Sequence, residues 1–410
     1  MRVLVAPESF GGALSATQAA RAIRSGWLGA APGDDVRSVP LTDAGSGLVD
    51  VLHDVLGGEL LSATVRGAQG DPAPAAVLVV TGQAGDRTAY VDAAHAVGPA
   101  LVPAARRDAG RGASSGVGQL LALARATGAR RVVVGVGDAA TNDAGAGMLA
   151  ALGAGVEVTG PLAMGGHALA GVTEEDLSGL AALRADWSGI ELVAAYALDL
   201  PLLGMHGASA GATAHGASPE QAQALERSLG HFAHAAVAAL GPGTVRPDLL
   251  LSARAASPAA RLTALPGAGA GGGLGFGLAL LGARLYPGAA LVADEVGLTG
   301  RLADVDLAVT GGATVEPRSL HDAVVATVAD RAMVSGVPTV VVAGEVLVGR
   351  RELAAAGITA AYPVEQGHEP GRARPGPAAG GPADAGSRPP ADGAAALARR
   401  AARVARTWSR

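Results

Sequence analysis

The chain has 410 residues and a formal net charge of −5, and all 31 of its basic side chains are arginine. This mild charge and an aromatic content of only 2% are atypical of nucleic-acid binders and give no reason to expect an anionic membrane surface as a partner. The chain has no cysteine, which excludes disulfides and thiol nucleophiles, and no run of about 20 apolar residues that could span a membrane, so we expect a cytoplasmic protein.

Several short apolar runs are predicted to be buried parallel strands, because each is apolar on both faces and ends in a small or polar residue. In chain order these runs are 3–6, 131–136, 191–196, 305–310 and 338–344. Helices are predicted over 16–27 behind an N-cap at Ser15, over 115–128, and from 219 behind an N-cap at Ser218. The alternation of strands and helices indicates an α/β protein.

Two stretches depart from this alternation. Residues 60–92 hold three short strand-like runs separated by Gly, Asp and Pro, which predicts an antiparallel meander and a second domain inserted after the first few elements. Residues 366–393 contain almost no large apolar side chain and are predicted to be disordered. A helical pattern follows, with Leu397, Val404 and Trp408 as its anchors.

The segment GDAATNDAGAGMLAALG, residues 137–153, follows one predicted strand and leads into a helix. Backbone N–H groups at a helix start can bind an anion. Thr141 and Asn142 can hydrogen-bond a substrate hydroxyl, and Asp143 can accept a proton. A turn closed by the Asp side chain, with an N-cap and close packing of small residues, is the alternative interpretation.

Two further segments are candidates for a site. Asp43 lies in PLTDAGSGLVDVL between a strand end and a helix, a usual location for a site in an α/β sheet, although a turn-forming role explains it equally well. The glycine run over 265–282 could let phosphates approach the backbone, but it lacks the Gly-Lys-Ser/Thr of a P-loop. The histidines show no metal-ligand spacing with a third ligand, so no metal site is predicted.

Six segments, taken in order, resemble the class of bacterial glycerate kinases that opens with a PDSFKGSLSA-like loop. They are APESFGGALSA (6–16), PLTDAGSG (40–47), GDAATNDAGAGMLAALG (137–153), DLPLLGMHGASA (199–210), GAGAGGGLGFGL (267–278) and VDLAVTGGATVEPRSL (305–320). The resemblance covers the chain from residue 1 to about residue 365, together with the final helix.

The resemblance implies two α/β domains. The first is a flavodoxin-like parallel-sheet domain built from both chain ends, 1–58 and 290–365, and the second, with a mixed sheet, is inserted over 59–289. The disordered insertion and a C-terminal helix over 394–410 complete the chain. The implied reaction is the ATP-dependent phosphorylation of glycerate or a related small hydroxy acid, with ATP and Mg²⁺ as cofactors and a small molecule as the partner. The oligomeric state stays open.

The residues and the resemblance together give a set of candidate site residues. The catalytic candidates are Asp43, Asp143 and Glu316, and the substrate-binding candidates are Ser9, Thr141 and Asn142. The nucleotide-binding candidates are Gly269, Gly271, Gly272, Gly273, Thr310 and Gly311.

The chain departs from the family pattern at several positions, and the lost basic residues matter most for the implied reaction. Gly11 stands at the lysine position of the first loop, and the Gly-Lys pair of the last segment is Asp322-Ala323. Arg318 is the basic residue nearest to a motif, and Arg351 is a second possible source of positive charge. Because phosphoryl transfer depends on electrostatic stabilisation, the alternative hypothesis is a catalytically inactive paralogue that binds a small molecule or a partner protein.

Overall fold

The structure is a computed structural model that describes residues 1–155, 159–241, 257–364 and 393–409, without the side chains of residues 214 and 215. The strands are β1 (Arg2–Val5), β2 (Asp35–Ser38), β3 (Glu59–Arg66), β4 (Pro72–Thr81), β5 (Arg87–Asp92), β6 (Arg131–Val136), β7 (Glu191–Tyr196), β8 (Arg284–Pro287), β9 (Leu307–Thr310), β10 (Thr314–Val315), β11 (Thr339–Ala343), β12 (Glu345–Val346) and β13 (Ile358–Pro363).

The α-helices alternate with these strands along much of the chain. They are α1 (Ala16–Ala30), α2 (Leu48–Leu56), α3 (Ala94–Val97), α4 (Ser115–Ala126), α5 (Ala146–Ala151), α6 (Leu180–Trp187), α7 (Pro219–Leu240), α8 (Pro258–Thr263), α9 (Ala270–Leu280), α10 (Gly288–Glu295), α11 (Leu298–Leu302), α12 (Val324–Val334), α13 (Arg350–Ala355) and α14 (Gly393–Trp408). The segment predicted to be disordered, 366–393, lies outside the described residues except for its last residue, where α14 begins. Within the described ranges, every helix is too short or too polar to cross a lipid bilayer.

The chain divides into two compact units. Unit 1 comprises Met1–Asp43, Asp50–Leu56 and Ala289–Arg410, and unit 2 comprises Ala44–Val49 and Gly57–Gly288. The expected α/β class is confirmed, and so is the expectation of two α/β domains, each built on its own sheet. The domain boundaries that the resemblance implies stay a prediction.

Unit 1 is built on a five-stranded sheet in the order β2-β1-β9-β11-β13, and every neighbouring pair in it is parallel. Renumbered within the sheet this is 2-1-3-4-5, the flavodoxin-like order. The order reverses at β1, so the segments that follow β1 and β9 flank a crevice at the carboxyl edge of the sheet. In sheets of this kind ligands bind at that point.

Both faces of the unit 1 sheet are covered, which explains why its strands read as continuous apolar runs. Side chains alternate between faces along a strand. Val340 and Val342 of β11 accordingly pack in a core cluster with residues of α1 and α14, and Val341 and Ala343 pack in a second cluster with residues of α12 and α13.

Unit 2 is built on a six-stranded mixed sheet in the order β3-β4-β5-β6-β7-β8. The predicted meander is confirmed, because β3 pairs antiparallel with β4 and β4 with β5. From β5 to β8 the strands are parallel. The loops after β5, β6 and β7 therefore leave the sheet at one edge, which we call the unit 2 edge.

The predicted helix starts are confirmed at two serines. Ser15 caps α1 through the backbone N–H of Gln18, whose side chain bonds back to the backbone of Ser15. Ser218 and Gln221 form the same reciprocal box at the start of α7. Such boxes satisfy helix N–H groups that have no partner within the helix.

Candidate active site

The loop after β6 carries the candidate residues of unit 2. This β6 loop, residues 137–145, leaves the unit 2 edge and enters α5. Thr141, Asn142 and Asp143 are each at most 3% exposed, although all three side chains are polar. Buried polar groups are usually hydrogen-bonded, so the partners of each side chain indicate what it does.

The carboxylate of Asp143 is fully buried and accepts four hydrogen bonds from other residues of the chain. Oδ2 accepts from the backbone N–H (2.8 Å) and hydroxyl (2.9 Å) of Ser114 and from the N–H of Gly147 (3.1 Å), and Oδ1 accepts from the N–H of Gly145 (3.1 Å). Burial raises the pKa of Asp143, and these hydrogen bonds oppose that rise. Among the described residues, no arginine contacts this carboxylate. The arrangement suits a side chain that ties two loops together.

Thr141 and Asn142 have the opposite character, because each keeps a buried polar atom without a partner. The hydroxyl of Thr141 and the side-chain oxygen of Asn142 have no hydrogen-bond partner within the described chain. The amide nitrogen of Asn142 donates to the hydroxyl of Ser209 at 3.2 Å. A buried polar atom left unpaired costs about 1–3 kcal/mol, so two of them side by side in sequence are candidate ligand-binding groups.

The glycine turn, residues 269–273, packs directly against the β6 loop. Gly271, Gly272 and Gly273 have φ of 62°, 66° and 89°, which is the left-handed region that favours glycine. A Cβ on Gly272 would overlap the carbonyl oxygen of Thr141, and the carbonyl of Gly272 accepts the N–H of Ala144 at 3.0 Å. The absent side chains therefore make room for the β6 loop.

Ala144 is a strained residue in the same loop, with a φ of 51° and no exposed surface. We expect Ala144→Gly to raise the free energy of unfolding by about 0.5–1 kcal/mol, because relief of about 1–2 kcal/mol of left-handed strain exceeds the entropic cost of glycine. Thermal unfolding measures the change. Ala182→Gly within α6 is the control and should destabilise by about 1 kcal/mol; the same sign for both variants would contradict the strain argument.

The crevice of unit 1 carries a carboxyl group that the sequence prediction did not include. Glu8 follows β1, its N–H donates to the carbonyl of Gly311 at 2.9 Å, and its carboxylate lies where a side chain on Gly312 would have to be. Burial, and then the negative charge of Asp43, raise the pKa of Glu8 to about 8. A carboxyl with this environment at a sheet crevice is a candidate functional group.

We expect Glu8→Gln to stabilise the protein at pH 8 and to have little effect at pH 5. Because the pKa is raised in the folded state, the folded protein binds more protons than the unfolded chain between about pH 4.5 and pH 8, so stability falls as pH rises through this window. Glutamine removes that penalty, which we put at about 1–3 kcal/mol for a partly solvated group. Urea unfolding at both pH values tests this, with the exposed Glu345→Gln as the control. An equal effect at both pH values would contradict it.

Two further unit 1 candidates, Thr310 and Gly311, are already packed into the local structure. The Thr310 hydroxyl donates to the carbonyl of Ala6 at 2.8 Å and is buried, and a Cβ on Gly311 would overlap the carbonyl oxygen of Val342. Ser9 is exposed. Any contact of Thr310 or Gly311 with a ligand would therefore use backbone groups.

Glu316 and Arg318 form a local ion pair. Oε1 of Glu316 accepts from Nε (3.0 Å) and Nη2 (2.7 Å) of Arg318, and the Arg318 side chain is 81% exposed. The backbone of Glu316 also begins the short 3₁₀ turn Pro317–Leu320, because its N–H donates to the hydroxyl of Ser319 at 3.2 Å and its carbonyl accepts the N–H of Ser319 at 2.9 Å. The positive charge of Arg318, a cation indicated by the sequence, is thus partly neutralised by the carboxylate of Glu316.

The sequence prediction also left out three residues that shape the unit 2 edge. Asp92, at the end of β5, is fully buried and accepts from the N–H groups of Leu48 (3.0 Å) and Ala94 (2.9 Å). The others are Ser114, which bonds Asp143, and Ser209, which bonds Asn142. Ser209 lies in a segment already matched to the family, so a signal existed for it. For Asp92 the only signal in the sequence was its position at the end of a strand-like run.

Comparisons with known proteins agree with these features. The sequence profile of the Glycerate kinase family matches residues 3–374. A glycerate kinase of Bacillus subtilis is 34% identical over 90% of this chain and 92% of its own length, and a glycerate 2-kinase of Escherichia coli is 33% identical over 84% and 85%. The crystal structure of a Salmonella typhimurium LT2 protein assigned as glycerate kinase 2 superposes with a TM-score of 0.71 at 27% identity, covering 99% of this chain and 96% of that one. The chain therefore belongs to the glycerate kinase family.

Proposed function

We propose that the protein transfers a phosphoryl group from ATP to a hydroxyl of glycerate or a closely related hydroxy acid. Family membership supports this reaction class. The observation that carries the substrate side of the proposal is the pair of buried, unpartnered polar atoms on Thr141 and Asn142 at the unit 2 edge. A small polyhydroxy acid carries the hydroxyl and carboxylate groups that such atoms can bind.

Within the β6 loop we assign different roles to neighbouring residues. Thr141 and Asn142 bind the substrate, because their polar atoms still need partners. Asp143, predicted from sequence as a catalytic residue, is proposed instead as a positioning residue, since its carboxylate has no exposed surface and holds four hydrogen bonds. By holding Ser114 it fixes the β6 loop against the start of α4.

For proton transfer we keep the carboxylates of Asp43 and Glu316 as the groups proposed to accept the proton of the substrate hydroxyl. Ser9, in the same unit, is a proposed substrate contact. Phosphoryl transfer needs little covalent chemistry from the protein and depends on positioning and on charge stabilisation. The ion pair of Glu316 with Arg318 keeps one positive group near the last matched segment, and Arg318 is our proposed cation.

ATP supplies the transferred phosphoryl group. We propose that the glycine turn, with Gly269, Gly271, Gly272 and Gly273, and the turn after β9, with Thr310 and Gly311, contact the nucleotide through backbone groups, because their side-chain directions are filled by protein. Left-handed backbone turns can offer N–H groups to anions. Those of Gly269 and Gly273 already donate to the carbonyls of Leu200 (2.7 Å) and Gly269 (3.0 Å), so these two glycines shape the turn.

Mg²⁺ is part of the proposal as the partner of ATP, with no protein ligand assigned. Within the described ranges there is no group of three or more His, Asp or Glu side chains that could hold a metal ion. Mg²⁺ usually binds through one or two carboxylates and the phosphates of the substrate, so we derive no step from a metal site of the protein. We also propose a cytoplasmic location, as expected from the sequence.

Thermal unfolding with each ligand tests the binding half of this proposal. A ligand that binds only the folded state at a hundred times its Kd stabilises that state by about 2.7 kcal/mol. We therefore expect millimolar Mg-ATP and millimolar glycerate each to raise the melting temperature, and ADP with phosphate to act less strongly than Mg-ATP. A rise with glycerate but none with Mg-ATP would favour the inactive small-molecule-binding paralogue.

A further inference from the structure

We propose that the side-chain oxygen of Asn142 binds a hydroxyl group of the substrate that is not phosphorylated, and that Ser209 positions it for this task. The site would thus select acids that carry at least two hydroxyl groups. This inference rests on the proposed function for the identity of the substrate, and it names a specificity role that the kinase reaction itself does not require.

The first step of the argument is the environment of Asn142. The residue is 2% exposed, and its amide has two ends with different surroundings. The nitrogen donates to the hydroxyl of Ser209 at 3.2 Å, and the oxygen has no partner within the described chain. An amide that is hydrogen-bonded at its nitrogen and unsatisfied at its buried oxygen still needs a donor for that oxygen.

The second step is the chemistry of that oxygen. A side-chain amide oxygen only accepts hydrogen bonds, so its ligand must present a donor. The carboxylate of a hydroxy acid at neutral pH only accepts and is excluded at this atom, whereas a hydroxyl fits. An attacking hydroxyl gives up its proton during transfer, so a hydroxyl that keeps its proton is the better lasting partner.

The third step is the position of Ser209. It is 2% exposed and lies in the 3₁₀ segment Ala208–His215 that follows β7, 67 residues from Asn142 in sequence. Its hydroxyl accepts from the amide nitrogen of Asn142 and so holds that end of the amide, while the oxygen stays available to another donor. Ser209 therefore acts through Asn142 and needs no contact of its own with the substrate.

A site built to hydrogen-bond a hydroxyl rejects an analogue that lacks it, because its own buried group is then left unpaired. The analogues that test this are lactate, which lacks the C3 hydroxyl of glycerate, and 3-hydroxypropionate, which lacks the C2 hydroxyl. We expect one of them to bind about 10–100-fold more weakly than glycerate. The other retains the hydroxyl bound by Asn142 and should stay within a few-fold of glycerate.

The experiment measures the dissociation constants of the three acids by calorimetry on the full-length protein and on Asn142→Ala, Ser209→Ala and the control Ser188→Ala. Ser188 is an exposed serine at the end of α6 whose hydroxyl bonds only to the carbonyl of Ala185 in the described structure. Asn142→Ala should weaken glycerate about 10–100-fold and leave the rejected analogue nearly unchanged, so that the preference disappears. Ser209→Ala should reduce the preference partly, and Ser188→Ala should keep it in full.

Two outcomes overturn the inference: both analogues bind the unmodified protein as well as glycerate does, or folded Asn142→Ala keeps the full preference. Should Asn142→Ala fail to fold, Ser209→Ala carries the test, and an unchanged preference in that variant overturns the inference equally. Binding is read without turnover, so a protein that discriminates the acids but releases no ADP would contradict the kinase proposal and keep this one. A protein that phosphorylates glycerate but binds lactate, 3-hydroxypropionate and glycerate with equal affinity would do the reverse.

Discussion

Replacing Asp143 with alanine is expected to lower the free energy of unfolding by about 3–5 kcal/mol, because it leaves the Ser114 and Gly147 donors buried without their acceptor. The loss comes from two loops at once, since the carboxylate joins the start of α4 to the start of α5. Urea unfolding at neutral pH measures it. Asp186→Ala, at an exposed carboxylate of the same unit, should stay within about 0.5 kcal/mol of the unmodified protein.

The gentler variant Asp143→Asn separates a positioning role from a catalytic one. Asparagine keeps the shape and one acceptor, so the protein should remain folded at low temperature. A positioning residue then predicts kcat reduced by less than about tenfold in the folded protein. Loss of a general base would cost about 10²–10⁴-fold in rate, and such a loss in a variant of normal stability would restore Asp143 to the catalytic set.

Gly272→Ala should be the most damaging change in the glycine turn. The new Cβ would overlap the Thr141 carbonyl oxygen and lie 2.9 Å from Cα of Asn142, in a backbone conformation that costs alanine about 1–2 kcal/mol. Overpacking typically adds about 1–3 kcal/mol, so we expect a total loss of about 2–5 kcal/mol. Because the β6 loop must move, glycerate affinity should fall at least about tenfold.

Gly128→Ala is the matched control for this prediction. Gly128 has a φ of 74° and open space around the position of a Cβ, so the substitution brings the same backbone strain without the collision. It should cost about 1–2 kcal/mol and leave glycerate affinity unchanged. If the two variants lose affinity equally, the glycine turn does not position the β6 loop.

Much of the fold could be predicted because the signals are local. A few neighbouring residues suffice to recognise the apolar runs that form β6 and β7 and the serines that cap α1 and α7. Strands such as β2 and β8 were not predicted, because each has four residues and exposes alternate or terminal positions. Pairing with a neighbour, and not intrinsic pattern, makes such short segments strands.

The sequence indicates a candidate loop more readily than it assigns roles to the residues in that loop. The position of Thr141 and Asn142 after a strand, and the family segments, pointed to the β6 loop, where the structure leaves two buried polar atoms without a partner in the described chain. The state of each side chain depends on partners far away in the chain: Ser114 lies 29 residues from Asp143, and Ser209 lies 67 residues from Asn142. Sequence spacing cannot show which carboxylate has all its hydrogen bonds within the protein and which amide keeps an atom without a partner.

The lack of lysine is the main physical reason for the alternative of an inactive paralogue, because phosphoryl transfer depends on electrostatic stabilisation of charge. The backbone N–H groups and the serine hydroxyl around Asp143 already donate to its carboxylate, so they do not replace a cation. Within the six matched segments, Arg318 is the arginine that remains.

Release of ADP in the presence of Mg-ATP, with and without glycerate, tests the central claim most directly, provided that phosphorus NMR identifies the product. The account predicts ADP release that depends on glycerate, saturates with it, and forms one new phosphate monoester in equal amount. ADP release at the same rate without glycerate, or none above the background of protein-free buffer, would contradict it.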